Sequence, residues 1–494
     1  MSKNYLKYLF RQYRIPLIFF FCVYALAVMT PGLADLSSGE RFDLTLSLDI
    51  AFLLSAGACV VLPLFFFSFV HRRKSADVYG ALPISRKGQL RATLGFLFLS
   101  TFGCYFVMWL LLMIPATHTE FGVLGAGIMT RELFCVAITL LTILILTSGL
   151  YLIGNNIFDG VVITAAYYFV PALILILDHT FFNYLVAGSQ DWDQGSQLVS
   201  WLSPFTCTQA MDLSRLFENG LPVAREEIAV DWPRILALLV YAGIGVLLLH
   251  RNFVRRDLER AEQLSAGKLA YPLIIPLYAV LSLTLILITT QADIATSALL
   301  ILAIFCAYSI ASFVWRRTIR PNAKMLLSFA ACFAIAALFT FTGWQTHGFG
   351  LGDRPMKWSP GKTIYYSYSA QVKKNDLEKI SSGSGFREVT FSFYLPESEQ
   401  EENEAAQILE RFRKKAIREF YGRSYFKFRY TGSSLTFEQP GSTGRYHEYT
   451  LVRSALSVQE LKTISKYARV FVTRYDNEGN EYRIPLKKYL KKYY

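Results

Sequence analysis

The 494-residue chain lacks the short motifs that mark common catalytic centres. It has no HExxH, GxSxG or CxxC, and its histidines and cysteines show no metal-ligand spacing. Gly361-Lys362-Thr363 resembles the end of a phosphate-binding loop, but Met356 stands where that loop needs its first glycine. The sequence therefore predicts no enzyme active site and no metal or cofactor bound by this chain.

Charge is also scarce, at 18% of residues with 53% hydrophobic, whereas soluble domains contain roughly 25% charged residues. Apolar runs recur that are long enough to cross a bilayer, which takes about 20 helical residues. The pattern predicts a polytopic α-helical membrane protein with about nine spans, at residues 15–31, 49–70, 92–114, 133–153, 161–178, 234–250, 272–290, 295–315 and 325–342.

These segments contain almost no ionisable side chains in their interiors. Asp49, Asp159, Asp178 and Asp293 all fall at predicted helix ends. Ion-coupled transporters and proton relays place such groups near the bilayer midplane. The sequence therefore argues against a secondary transporter and against an intramembrane hydrolase.

The loops between the spans differ in charge. The strongly basic ones, 71–91, 251–271 and 316–324, fall on one side of a nine-span count, together with the N-terminus. By the positive-inside bias this side is cytoplasmic, and the tail from about residue 343 is extracytoplasmic. Topology therefore explains part of the net charge of +13, and no nucleic acid partner is implied.

The first 14 residues predict an amphipathic helix. Lys3, Lys7, Arg11 and Arg14 share one helical face, and tyrosine, leucine and phenylalanine side chains occupy the other. Such a helix lies in the plane of the inner leaflet. A plain positive anchor is the alternative.

The loop at 179–233 is predicted to be long and extracytoplasmic. It contains two apolar pieces, 181–186 and 198–202, that are too short to span. They fit re-entrant or interfacial helices in the outer leaflet, or a loop folded outside the membrane.

Residues 343–494 have a different composition, without long apolar runs and with 26 basic against 17 acidic residues, a net +9. Alternating polarity predicts strands, and two amphipathic stretches predict helices. We therefore expect an extracytoplasmic α+β domain with strands at 363–369, 388–394, 425–430, 446–451, 470–474 and 482–484, helices at 399–421 and 457–467, and a hairpin turn at 477–480.

The basic loop at 71–91 is too ordered in composition to be a simple tether. Ser75 is placed to cap a short helix, Asp77 falls in its first turn, and Leu82-Pro83 stops it. A short helix of this kind, between two spans, suits contact with a cytosolic protein. The alternative is a positive anchor with no partner.

The run KSADVYGALPISR, residues 74–86, resembles the K-x-x-D-x-Y-x-x-L-P-I-x-R pattern of the Gram-positive Ytr-type branch of ABC-2 permeases. With the preceding in-plane helix and six spans, the resemblance covers about residues 1–255. Gly80-Ala81 departs from the His-Ser pair common in relatives. Three additional spans, within 256–342, and the C-terminal domain are not part of the minimal six-span core.

The resemblance implies a permease at the bacterial cell membrane that exports a hydrophobic or amphipathic substrate, such as a lipid, peptide or antibiotic. It implies a cytosolic ABC ATPase, which binds ATP and Mg²⁺, and a second permease, either a copy or a paralogue. The loop would be the helix that docks on that ATPase, through Arg73, Lys74, Asp77, Tyr79, Leu82, Pro83, Ile84 and Arg86.

Two other functions stay open at this point. The chain could be a sensory or resistance module whose basic outer domain binds an antibiotic or an anionic envelope component. A membrane-bound enzyme of envelope assembly is the third hypothesis, and no catalytic constellation supports it.

Overall fold

The structure of the protein is a computed structural model. The described residues are 2–38, 44–118, 126–188, 202, 217–218, 221–222, 232–256, 259, 261–263, 265, 267–289, 294–320, 322–353, 363–369, 388–394, 402–422, 433–438, 446–451, 458–467, 469–475, 481–486 and 488. Four predicted features lie outside them: the apolar piece at 198–202 except for its last residue, the Gly361-Lys362 pair, the strand at 425–430 and the turn at 477–480.

The structure confirms a polytopic helical architecture. Among the described residues, eight helices are long and apolar enough to cross a membrane, or nine if the bent pair α1–α2 forms one span. The helices are α1 Ser2–Gln12, α2 Arg14–Ser38, α3 Leu44–Phe66, α4 Arg73–Gly80, α5 Arg86–His118, α6 Ala126–Tyr151, α7 Ile157–Leu185, α8 Trp232–Leu249, α9 Tyr271–Thr289, α10 Ile294–Arg316, α11 Ala323–Gln345, α12 Glu402–Tyr421 and α13 Val458–Tyr467.

Two compact units divide the chain, and the first comprises Met1–Ala172 and Gln197–Ile275. Its buried core is built from α1, α2, α3, α5 and α6. Helices α6 and α8 approach closely at two glycines. A Cβ on Gly149 would lie 3.0 Å from the carbonyl oxygen of Gly245, and one on Gly245 would lie 2.8 Å from Ile145. Any larger residue would push these helices apart, so glycine is required there.

The first two helices meet at a sharp bend. The helical segments Asn4–Gln12 and Arg14–Thr30 are inclined by 63° to each other. Tyr5 and Leu9 are buried in the first unit, and Phe10 meets Phe96 of α5 at 4.9 Å between ring centroids. The apolar face of α1 therefore packs on α5, and its in-plane placement stays a prediction.

Helix α7 is longer than the sequence suggested. It runs from Ile157 to Leu185, whereas the span was predicted at 161–178. The apolar piece at 181–186 was expected to be a separate re-entrant or interfacial segment, and this was wrong, because 181–185 continue α7. Asp159 lies in the first turn of α7, as expected of a residue at a helix end, whereas Asp178 lies seven residues before the last residue, Leu185. Asp178 resembled a helix end because charged side chains seldom sit within a span.

The second unit comprises Leu173–Ser196 and Pro276–Tyr494. It contains a six-stranded antiparallel sheet in the order β6-β5-β3-β4-β7-β8. Its central pair runs in register from Thr363↔Tyr394 to Ser369↔Glu388. The strands are β3 Thr363–Ser369, β4 Glu388–Tyr394, β5 Ser433–Glu438, β6 Tyr446–Leu451, β7 Arg469–Tyr475 and β8 Glu481–Pro485, and a separate hairpin in the first unit pairs β1 Phe217–Glu218 with β2 Leu221–Pro222.

An aromatic junction within the second unit fixes the end of α12. Its last residue, Tyr421, donates its hydroxyl to the carbonyl of Leu185 at 2.9 Å and accepts from the amide of Ala187 at 3.1 Å. Trp344 of α11 lies 5.6 Å from the Phe420 ring and 5.5 Å from the Tyr421 ring. The helix from the C-terminal domain is thus tied to the ends of α7 and α11.

Candidate functional site

Helix α4 begins at Arg73, after a short 3₁₀ turn, Ser68–His71. Ser75 was expected to cap this helix, and Asp77 to lie in its first turn. Both expectations were wrong, because Arg72 is the N-cap residue and makes no side-chain capping bond. Instead, the amide of Arg73 donates to Oε1 of Glu262 at 3.3 Å. This carboxylate, distant in sequence, takes the role of the missing cap.

The two faces of α4 differ in exposure. Ala76 is buried, and Tyr79 is half-buried with its ring 4.3 Å from that of Phe69. Burial raises the pKa of the Tyr79 hydroxyl. Lys74, Asp77 and Val78 are exposed, and Val78 keeps 65% of its surface accessible. One face of α4 therefore anchors the helix, and the other, Lys74-Asp77-Val78, is accessible to a partner.

The turn from α4 to α5 is anchored to the hydrophobic core of the first unit. Leu82 and Ile84 are half-buried against the core cluster of the first unit, while Pro83 is exposed. The Ser85 hydroxyl accepts from the amide of Gly88 at 3.2 Å and so caps α5. Arg86 donates through Nη1 to the carbonyl oxygen of Arg256.

Arg73 and Arg86 thus contact one segment, residues 255–270 between α8 and α9, which we name the connector. Nε of Arg73 donates to the carbonyl of Ala261 at 3.1 Å. Arg256 keeps only 7% of its surface accessible. Its Nη1 donates to the carbonyls of Leu152 at 3.1 Å and Gly154 at 3.0 Å. A buried guanidinium therefore joins the connector to the turn between α6 and α7.

Asp159, in the first turn of α7, is the second buried charge at this end of the bundle. Its Oδ2 accepts from the Ser265 hydroxyl at 2.6 Å and from Nδ2 of Asn156 at 2.8 Å, and its Oδ1 accepts from the Tyr271 hydroxyl at 2.9 Å. Three donors compensate the cost of burying the carboxylate. No group of three or more His, Cys, Asp and Glu side chains that could hold a metal ion occurs among the described residues.

His71 closes the 3₁₀ turn that leads into α4. Its ring is buried and meets the Tyr151 ring edge-on at 4.5 Å. Burial, together with the nearby charge of Arg256, lowers the pKa of His71 to about 3. The imidazole is therefore neutral at physiological pH.

The structure divides the predicted docking residues into two groups. Lys74, Asp77 and Pro83 are exposed and face outward. The others hold the loop in place: Arg73, which is also exposed but bonds to the connector, and the half-buried Tyr79, Leu82, Ile84 and Arg86.

Sequence reasoning missed several residues that build this site. Val78 was overlooked on the exposed face, and Arg256, Asp159 and Glu262 were overlooked in the support beneath it. The signal that could have identified them was the predicted topology. It placed the loop with α4, the α6–α7 turn and the connector on the same side of the membrane.

Comparisons with protein-family models, curated proteins and solved structures found no match to this chain.

Proposed function

We propose that the chain is the permease subunit of an ATP-binding-cassette exporter, driven by a separate cytosolic ATPase that docks on α4. The observation that carries the proposal is the outward face of α4, Lys74-Asp77-Val78, on a helix fixed from behind. Paired opposite charges around one apolar side chain suit a specific protein contact better than a lipid surface. ATP and Mg²⁺ belong to the partner in this proposal.

The topology of this proposal has nine spans, a six-span ABC-2-like core followed by three more. Contacts among the loops support it. The loop containing α4, the α6–α7 turn and the connector bond with one another through Arg73, Arg86 and Arg256. These are the loops that the nine-span count assigns to one side, which the charge bias makes cytoplasmic. The C-terminal domain is then extracytoplasmic.

Export of a hydrophobic or amphipathic substrate fits the interior of the bundle. The buried polar groups of the described spans are mainly hydroxyls, such as Ser55, Ser100, Thr142 and Thr147, rather than carboxylates or bases. A path without fixed charge favours lipids, peptides or antibiotics over small ions. We place the protein in the plasma membrane of a Gram-positive bacterium, paired with a second permease.

Purification from native membranes in mild detergent, with identification of co-purifying proteins, tests the proposal. Wild type should recover an ABC ATPase, and Asp77→Arg should recover about tenfold less, since it reverses a charge on the docking face. Glu259→Arg is the matched control, the same charge reversal at an exposed position of the connector, and it should keep the ATPase. Recovery that is absent from wild type, or equal in both variants, contradicts the proposal.

One observation favours a second function, a sensory or resistance module. The aromatic junction ties the C-terminal domain, through Tyr421 and Trp344, to the ends of α7 and α11. A ligand on that domain could therefore act on the membrane helices without being transported. Binding of an anionic wall polymer to purified protein, with no ATP-dependent substrate movement in proteoliposomes, would favour this alternative.

A further inference from the structure

Hydrogen bonds to the connector hold both ends of the α4 loop, in addition to the packing of Tyr79 on Phe69 and of Leu82 on the core of the first unit. At its start, Arg73 bonds to Ala261 and Glu262, and at its end Arg86 bonds to Arg256. A helix of eight residues is too short to be stable alone in water. The helicity and position of α4 therefore depend on the connector as well as on the packing of Ala76 and Tyr79.

The connector is in turn pinned to the first turns of α7 and α9. Asp159 of α7 accepts from Ser265 in the connector and from Tyr271, the first residue of α9. Tyr167 of α7 adds a second link, since its hydroxyl donates to the carbonyl of Leu269 at 2.7 Å. Hydrogen bonds to a buried carboxylate are short and strong, so Asp159 is the firmest of these attachments.

We propose that Asp159 is a positioning residue for the docking helix, because it anchors the connector that holds α4 at both ends. A partner that displaces α4 would then act on α7 and α9 as well as on α3 and α5. The name docking helix rests on the proposed function, whereas the linkage from Asp159 to α4 rests on hydrogen bonds within the first unit. Helices α7 and α9 each begin in the first unit and end in the second, which α7 enters at Leu173 and α9 at Pro276.

Hydrogen–deuterium exchange of the full-length protein in nanodiscs, at short labelling times, tests this linkage. Asp159→Asn weakens the acceptor, and Tyr271→Phe deletes one hydroxyl without changing the charge. The contacts described for Asp159 and Tyr271 do not include α4. We nevertheless expect amides 76–81, which make the intrahelical bonds of α4, to exchange about tenfold faster in each variant, because the support of α4 loosens. Glu259→Gln, exposed on the same connector, should leave α4 unchanged.

A purely local role for Asp159 predicts a different pattern. Exchange would then rise only at residues 155–160 and 265–271, and α4 would keep the wild-type rate in both variants, which would overturn the proposal. If Asp159→Asn does not fold, the milder Tyr271→Phe decides the question. The measurement needs no ATPase, so its failure is distinct from a failure to recover the partner in the purification above.

Discussion

Two clusters each fix one helix, α4 in the first unit and α12 in the second, and they do so with different chemistry. Around α4, beside the packing of Tyr79 on Phe69, the support consists of directional hydrogen bonds made by charged groups, those of Arg73, Arg256 and Asp159. At the end of α12 the contacts are mainly aromatic, with Trp344 and Tyr421 packed among other rings. The first cluster is built from three loops that are distant in sequence, and the second from the ends of long helices.

This difference indicates which of the two elements can move. Hydrogen bonds between loops can change partners with little change in packing, whereas interlocked rings must leave a filled space before they can shift. The polar cluster therefore suits a helix that is displaced and returns, as a docking helix must be. The aromatic junction suits an attachment that stays closed.

The largest expected effect is at the aromatic junction. Trp344→Ala should lower the free energy of unfolding by about 3–5 kcal/mol, because it removes a large buried ring and leaves a cavity. Trp315→Ala, at a half-buried position on α10, is the control and should cost less. Thermal unfolding in detergent measures both, and equal losses would contradict the role given to the junction.

The next effect concerns the buried guanidinium. Arg256→Met should lower the free energy of unfolding by about 2–3 kcal/mol, since it leaves the carbonyls of Leu152 and Gly154 without their donor. Arg255→Met makes the same change at the exposed neighbouring position and should cost about 0.5 kcal/mol or less. If the two variants lose the same free energy of unfolding, the buried guanidinium of Arg256 contributes no more to stability than an exposed arginine does.

The polar cluster should also be sensitive to acid through His71. Its pKa is about 3 in the folded protein, against an ordinary value of about 6.5, so protonation favours the unfolded state. Above about pH 6.5 the imidazole is neutral in both states and this group costs no stability. As the pH falls from about 6.5 towards 3 the free energy of unfolding decreases, and the loss at pH 5 is about 2 kcal/mol. His71→Asn should unfold with a smaller difference between pH 7 and pH 5, and an unchanged difference would refute this role.

The smallest effect is at the cap of α4. Glu262→Gln keeps an oxygen acceptor but removes the charge near the helix N-terminus, which should cost about 0.3–1 kcal/mol. The change should appear as faster amide exchange confined to α4. Glu259→Gln serves as the control, and the cap assignment fails if both substitutions accelerate exchange in α4 equally.

Hydropathy predicted the positions of the membrane spans well. Its main error was the end of α7, where a charged residue lies inside the helix. The predicted span at 272–290 agrees with Tyr271–Thr289 to one residue at each end. Asp159 does lie in the first turn of α7, but the predicted span ended too early, at Asp178, whereas the helix continues to Leu185. Nothing in the local sequence shows that Ser265 and Tyr271, more than 100 residues away, satisfy the Asp159 carboxylate.

The sequence predicted which loop forms the candidate site, but not which of its side chains are exposed. The motif contains seven of the eight predicted docking residues, and Arg73 precedes it. Only four of the eight are exposed, because the packing of Tyr79 on Phe69 sets the rotation of α4, and one of these four, Arg73, bonds to the connector. The cap was misplaced for a related reason. Ser75 is a good capping residue by type, but the helix begins two residues earlier, where Glu262 supplies the acceptor.

The central claim is that the Lys74-Asp77-Val78 face of α4 binds a partner, and site-specific photo-crosslinking tests it most directly. A photoreactive residue at Val78 should crosslink, in intact membranes, to a protein that carries an ATP-binding-cassette sequence. The same residue at Ile319, an apolar side chain 86% exposed in the α10–α11 turn, is the control and should not. Crosslinks from Val78 to lipid alone, or the same products from both positions, would contradict the claim.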